Sequence, residues 1–168
     1  MRKGKYKYEH VCFGGTFDIP LHKGHRALIR KAFEIGRFCY IGLTSDFYVF
    51  RMKLGLAGVH TFEERKRNLT KFLTQLKISK KRYKISMIDR FYGDELIDPH
   101  VKIDAIVVSE ETLPQAKGIN MIREDLGLKP LEIVMIPMVL ADDKRSISSR
   151  RIRAGEIDKD GKVKRKQF

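Results

Sequence analysis

The chain of 168 residues has no tryptophan, only two cysteines and no long hydrophobic run. Its longest nearly apolar stretch, residues 133–141, is nine residues with Pro137 inside it. A bilayer needs about 20 such residues, so no membrane partner is expected. Residues 1–10 are basic and polar, with no apolar segment behind them, which reads as no secretory signal. Cys12 and Cys39 each sit in an apolar run, the place of a buried, reduced thiol rather than half of a disulfide. A cytoplasmic location is the expectation. Low-complexity tracts and internal repeats are also lacking, which excludes solenoid and fibrous classes.

Acidic residues are short relative to basic ones, 21 against 35, and the formal net charge is +14. Such a balance suits a nucleic-acid binder, a plain solvated surface, or a site that draws in polyanionic small molecules. The basic residues are spread along the chain in small clusters at 80–82, 144–145, 150–153 and 162–166. Aromatic residues do not interleave with them as a base-stacking platform would require, so no nucleic-acid partner is expected. What is present is the material of one globular domain, 42% hydrophobic and 33% charged. Residues 1–158 read as that domain and 159–168 as a solvated basic tail.

Short apolar or β-branched runs at 11–13, 38–43, 83–88, 105–108 and 131–136 read as strands, several apolar throughout as in strands covered on both faces. Between them lie helical patterns. Residues 24–35 carry an apolar face, with Gly36 as the stop. Thr61 and Glu64 form a capping box ahead of a stripe of Phe62, Leu69, Phe72, Leu73 and Leu76. A third helix covers 114–126 and ends at Gly127, and a short fourth begins at Ser148. Alternation of this kind predicts an α/β fold. It is a Rossmann-like, doubly wound, mostly parallel five-stranded sheet with helices on both faces. Ligands bind beyond the carboxyl ends of such strands, near the switch in strand order.

The chemistry-bearing residues fall in those places. After the first strand comes Gly14-Gly15-Thr16-Phe17-Asp18, followed by His22-Lys23-Gly24-His25 at the opening of the first helix. The glycines let the backbone approach a ligand, and the helix start offers amides to an anion. Gly24 leaves room for a phosphate between the two histidines. Imidazole N–H groups can follow charge as it builds on phosphorus, so the pattern suits phosphoryl chemistry without a protein nucleophile. His10, His60 and His100 read as satisfied or exposed side chains. Two histidines three apart, with no third ligand, do not make a protein-held metal site. Near the other end, Ile147-Ser148-Ser149-Arg150-Arg151-Ile152-Arg153 places hydroxyls, amides and arginine at a helix start, which suits the outer phosphates of a nucleotide.

The stretch GGTFDxxxHxGH resembles the signature of the HxGH nucleotidyltransferase superfamily, and the Ile147–Arg153 segment is similar to its second, ISSxxxR-type element. The middle of the chain narrows the likeness. Residues 105–112, Asn120, Arg123 and 127–133 resemble the archaeal phosphopantetheine adenylyltransferases and the matching domain of the eukaryotic bifunctional enzyme. Segments 41–46 and 153–158 fit the same group, and the resemblance spans about 11–161.

The resemblance implies ATP and 4′-phosphopantetheine as substrates, dephospho-coenzyme A and pyrophosphate as products, and Mg²⁺ carried with ATP. It implies catalytic roles for Thr16, His22, His25 and Lys53. Nucleotide contacts would come from Gly14, Gly15, Thr16, Phe17, His22, His25, Ser109, Glu111, Arg123, Ile147, Ser148, Ser149 and Arg153. Asp18 fits a structural tie of the Gly-Gly loop. Arg150 departs from the family, which commonly has a third hydroxyl there. Bacterial relatives assemble, whereas the archaeal and eukaryotic forms diverge from them, and a monomer is favoured. The alternatives are a relative acting on glycerol phosphate, a flavin or nicotinamide mononucleotide, and a non-catalytic nucleic-acid-binding domain on the same scaffold.

Overall fold

A computed structural model describes residues 5–52 and 58–164. Its strands are β1 (Tyr8–Gly15), β2 (Gly36–Thr44), β3 (Tyr83–Ile88), β4 (Ala105–Val108) and β5 (Glu132–Met135). Its helices are α1 (Lys23–Ile35), α2 (Asp46–Met52), α3 (Phe62–Gln75), α4 (Leu113–Asp125) and α5 (Ser149–Arg153). The strands form one sheet in the order β3-β2-β1-β4-β5, and all four pairings are parallel. The expectation of a mostly parallel sheet sharpens to a wholly parallel one. Winding reverses between β1 and β4, which makes that junction the switch point.

The two faces bury different sets of side chains because strand residues alternate. Val11, Phe13, Cys39, Ile41 and Leu43 face α1 and α3. Cys12, Ile106 and Val108 face α4 and the crossover that carries Tyr92, Leu96 and Val101. The two cysteines are therefore neighbours in register yet point to opposite faces. Burial pushes both thiols up, that of Cys39 to about 12, so both stay protonated at neutral pH.

The capping box of α3 forms as its spacing predicts. The Thr61 hydroxyl accepts from the Glu64 amide at 3.3 Å, and the Glu64 carboxylate accepts from the Thr61 amide at 2.8 Å. Helix α4 closes with Gly127 in the left-handed region at φ +71°, where a side chain would be strained. Gly36 stops α1 as expected, its amide donating to the Ala32 carbonyl, and it serves a second purpose as well. Its backbone is extended, and a Cβ there would lie 2.4 Å from Val11 Cγ2, so close packing of β2 on β1 demands the glycine. Helix α2 was not expected from sequence. Ser45 opens it, its hydroxyl accepting from the Tyr48 amide at 3.0 Å, while Phe47 and Phe50 remain on the surface.

Residues 159–164 do not behave as a solvated tail. The Lys159 carbonyl accepts from the Lys23 amide at 2.8 Å, Asp160 pairs with Arg26, and Gly161 is buried against Ile147 and Ala141. The chain folds back here to hold the start of α1, so the expected boundary at 158 is not one. No helix among the described residues is long and apolar enough to cross a membrane.

Leu69 and Leu73 are fully buried in the α3 face of the core. Replacing Leu69 by Ala should cost roughly 2–5 kcal/mol, from lost burial plus the cavity left behind. Thermal or urea unfolding reads this directly, and an unchanged midpoint would remove Leu69 from the core.

Candidate active site

A cleft of about 940 Å³ opens at the carboxyl ends of the strands, over the switch point. Gly14 and Gly15, the last residues of β1, form its floor. A Cβ on Gly14 would come within 3.1 Å of the Gly42 carbonyl, and one on Gly42 within 2.1 Å of Ile88, so β1, β2 and β3 approach one another only through these glycines. Beyond them the chain turns at Phe17, which adopts φ +45°, a conformation costing a non-glycine residue roughly 1–2 kcal/mol. The turn drives the Phe17 ring into the core. There it meets Phe13 edge-on at 5.9 Å and His25 at 5.2 Å.

The two histidines do not bracket a phosphate-sized gap. Their rings stack with centroids 3.6 Å apart and planes 19° from parallel. Gly24 serves His22 instead, because a Cβ there would lie 3.0 Å from the His22 ring. His22 is the N-cap of α1, its Nδ1 accepting from the amides of Gly24 at 3.1 Å and His25 at 3.2 Å. The preceding amide, that of Lys23, goes to Lys159. The α1 start is thus closed within the protein rather than open to an anion. An Nδ1 that accepts leaves the proton of the neutral ring on Nε2. Burial, with help from the positive charge of Arg26, lowers the His22 pKa from 6.5 to about 4. What the helix end offers to the cleft is a neutral, oriented N–H donor.

Asp18 joins the first motif to the second. It is about 1% exposed. Its Oδ1 accepts from the His60 amide at 3.0 Å and meets the His60 ring Nδ1 at 2.9 Å. Its Oδ2 accepts from Arg153 at 2.7 Å. Burial alone would raise its pKa, but hydrogen bonds from His60 and from the Ile19 amide outweigh it, and the carboxyl is held below its ordinary range. Asp18 is structural, but its side-chain bonds to His60 and Arg153 tie the loop before α3 and the last helix rather than the Gly-Gly loop expected from sequence, and His60 is satisfied by it. In α5, the Ser148 hydroxyl oxygen caps the helix through the Arg151 amide at 3.3 Å, which leaves its O–H to donate. Ile147 is buried beside Ala141 and Ile157, and anchors that helix.

The cleft collects most of the sequence candidates. Gly14, Gly15, Thr16, Phe17, His22 and His25 line one side. Ser109 and Glu111 lie beyond β4, with Ile147, Ser148, Ser149 and Arg153 opposite, and Arg150 at the rim. Arg123 is the exception. It is buried at the end of α4, where its guanidinium donates to the carbonyls of Lys129, at 2.9 Å, and Leu96. Those bonds pin α4 to the crossover, and the side chain does not line the cleft. Lys53 lies outside the described residues. Sequence reasoning passed over Arg65, a buried arginine whose bonds reach Thr16 and Thr44. The signal was available: position 65 falls on the same helical stripe as Phe62, Leu69 and Leu73, where a cation needs partners.

The closed α1 start makes stability depend on pH. Below pH 6.5 an unfolded chain protonates His22, whereas the native state resists down to about 4. Stability is therefore lost as pH falls from 6.5 to about 4, by about 3 kcal/mol, and the loss levels off below that. Urea unfolding at pH 7 and pH 4.5 should show a steeper decline for the wild type than for His22→Asn, which keeps a capping oxygen but does not titrate. Equal declines would show that His22 is not held neutral.

Comparison with known proteins agrees with this arrangement. A family model described as cytidylyltransferase-like matches residues 12–155. The phosphopantetheine adenylyltransferase of Pyrococcus furiosus is 45% identical over 164 residues, covering 97% of this chain and 98% of the relative. That of Thermococcus kodakarensis is 46% identical over 162 residues, covering 96% and 93%. A crystal structure of an Archaeoglobus fulgidus protein of unknown function matches with TM-score 0.63 at 33% identity, covering 83% of this chain and 99% of that one. With this strand order, the paired histidines and the serine-capped final helix on one cleft, the chain belongs to the cytidylyltransferase-like family and, within it, to the phosphopantetheine adenylyltransferases of archaea.

Proposed function

We propose that this chain transfers the adenylyl group of ATP to 4′-phosphopantetheine, giving dephospho-coenzyme A and pyrophosphate. The observation that carries the reading is that Thr16, His22, His25, Ser148 and Ser149, from opposite ends of the sequence, line one cleft at the switch point. An oxygen of the acceptor phosphate attacks the α-phosphorus of ATP in line. A new P–O–P link forms, the bond from the α-phosphorus to the bridging oxygen breaks, and pyrophosphate leaves. No covalent intermediate with the protein is needed. Catalysis then comes from positioning and from donors aimed at the developing charge.

Each side chain has a part that its geometry permits. Thr16, at the end of β1, orients the attacking phosphate. His25 and the Nε2–H of His22 donate to the oxygens of the α-phosphate as they gain charge. Lys53 neutralises both phosphates where they meet, a role that rests on family resemblance. Gly14 and Gly15 let the backbone reach the nucleotide, and Ser109 and Glu111 contact it from beyond β4. Ser148 and Ser149 donate to the β- and γ-phosphates. Arg153 steadies the same region while it is tied to Asp18.

Arg150 completes the phosphate site. Among the described residues Arg151 is paired with Asp143 and Glu156, and Arg153 with Asp18, whereas Arg150 has no carboxylate within ion-pair distance. A triphosphate supplies that missing charge. Among the described residues no cluster of three His, Cys, Asp or Glu side chains is placed to hold an ion. Mg²⁺ would come with ATP, keep several of its waters and neutralise charge on the leaving pyrophosphate. The net charge of +14 steers both polyanionic substrates inward.

The decisive assay is pyrophosphate release from each nucleotide with a panel of phosphorylated acceptors. Turnover is expected with ATP and 4′-phosphopantetheine. Release only with CTP, or only with glycerol phosphate, a flavin or nicotinamide mononucleotide, would overturn the choice of substrates. Salt-sensitive nucleic-acid binding without turnover would leave a binding domain. His25→Ala should lower turnover by roughly two or more orders of magnitude in a folded protein. Arg150→Ala should raise the KM for ATP about five- to tenfold and leave the KM for the acceptor alone.

A further inference from the structure

Arg65 has no exposure to solvent and carries five N–H groups that need acceptors. Its Nε donates to the His60 carbonyl at 2.9 Å. One Nη donates to the Thr16 carbonyl at 2.8 Å and, at 3.4 Å, to the hydroxyl of Thr44. The other donates to the Thr44 carbonyl at 2.8 Å and to Asp46 at 3.0 Å. A single guanidinium on α3 thus fastens the ends of β1 and β2, the start of α2 and the loop leading into α3. The Thr44 hydroxyl in turn donates to the Thr16 hydroxyl at 3.2 Å.

Direction is the informative part. Arginine can only donate, so the Thr44 hydroxyl accepts from Arg65 and turns its own hydrogen towards Thr16. Thr16 then accepts from Thr44, and its hydrogen must go to a different acceptor. We propose that Arg65 and Thr44 are positioning residues. They form a one-way chain of hydrogen bonds that presents the Thr16 hydroxyl as a donor to an anionic phosphate oxygen of the acceptor. This rests on the adenylyl-transfer reading, in which Thr16 orients the attacking phosphate. It adds the origin of that orientation, and it ties a catalytic rotamer to a buried cation on a helix that does not line the cleft. Polarised chains of this type strengthen their terminal donor.

A double-mutant cycle tests the coupling. Thr44→Val removes the hydroxyl while leaving the main-chain carbonyl that Arg65 also holds. It should lower kcat/KM for the acceptor about tenfold with the KM for ATP little changed, and Thr44→Ser should restore most of the loss. In a Thr16→Val background the same Thr44→Val change should have almost no further effect, because the chain has lost its end. A purely structural role would lower activity by the same factor in both backgrounds, and such additivity would overturn the chain. Thermal unfolding of all four proteins separates a loss of folded protein from a loss of function. If Thr16→Val alone keeps normal turnover, the role of Thr16 in adenylyl transfer falls, and the chain with it. If Thr16→Val is impaired but Thr44→Val is not, the transfer reading stands and the chain alone is wrong. Arg65→Lys offers an independent check. A lysine ammonium has three donors against the five of the guanidinium and cannot reproduce its whole set of bonds, so this variant should shift kcat/KM for the acceptor in the same direction as Thr44→Val.

Discussion

Asp18 has almost no access to water, and a carboxylate in such a place persists only because donors from three directions replace its hydration. Those donors are the main chain and ring of His60, the amide of Ile19 and the guanidinium of Arg153. They come from the loop before α3, the turn after β1 and the last helix. The cleft is bounded by these same segments. Much of the site depends on this one charge, since its bond to Arg153 joins the first motif directly to the second. The final helix has only five residues and would not be stable alone, so it owes its position to this ion pair, the Ser148 cap and the packing of Ile147.

Arg65 and Arg123 show the same physics in other places. Each is a buried cation whose hydrogen bonds go mainly to backbone carbonyls at the ends of strands, turns and helices. In a basic protein these arginines act as internal fasteners, while Arg150 and the surface lysines supply the external field. Net charge therefore overstates the number of cations available to a ligand. The distinction depends on burial, and composition carries no information about it.

The closure of the α1 start alters the chemistry assigned to the histidine motif. A bare helix end would hold an anion with amides. Here His22 occupies those amides and passes their directionality on through its ring, as a neutral Nε2–H beside His25. Lys159 secures the first amide from the far end of the chain. This edge of the cleft is thus built from contacts 2 to about 135 residues apart.

The sequence by itself determined the fold class, the five strands, the capping box at Thr61 and the two motifs that line the cleft. These are local or periodic properties: apolar runs, helical spacing and cap residues act within a few positions of one another. It also carried the resemblance that names the acceptor. Only the tertiary structure decided how the polar groups were allotted. It moved Arg123 from the nucleotide side to a buried fastener, showed that Gly24 and Gly36 answer to a ring and a valine, and folded 159–164 onto α1. It also revealed Arg65 and Thr44 behind Thr16. Whether an arginine faces a carbonyl or a ligand is settled by which distant segment packs against it, and no local pattern records that. The place of the GGTFDxxxHxGH stretch, beyond a strand end and on the cleft, was legible. Its neutral, stacked histidines were not.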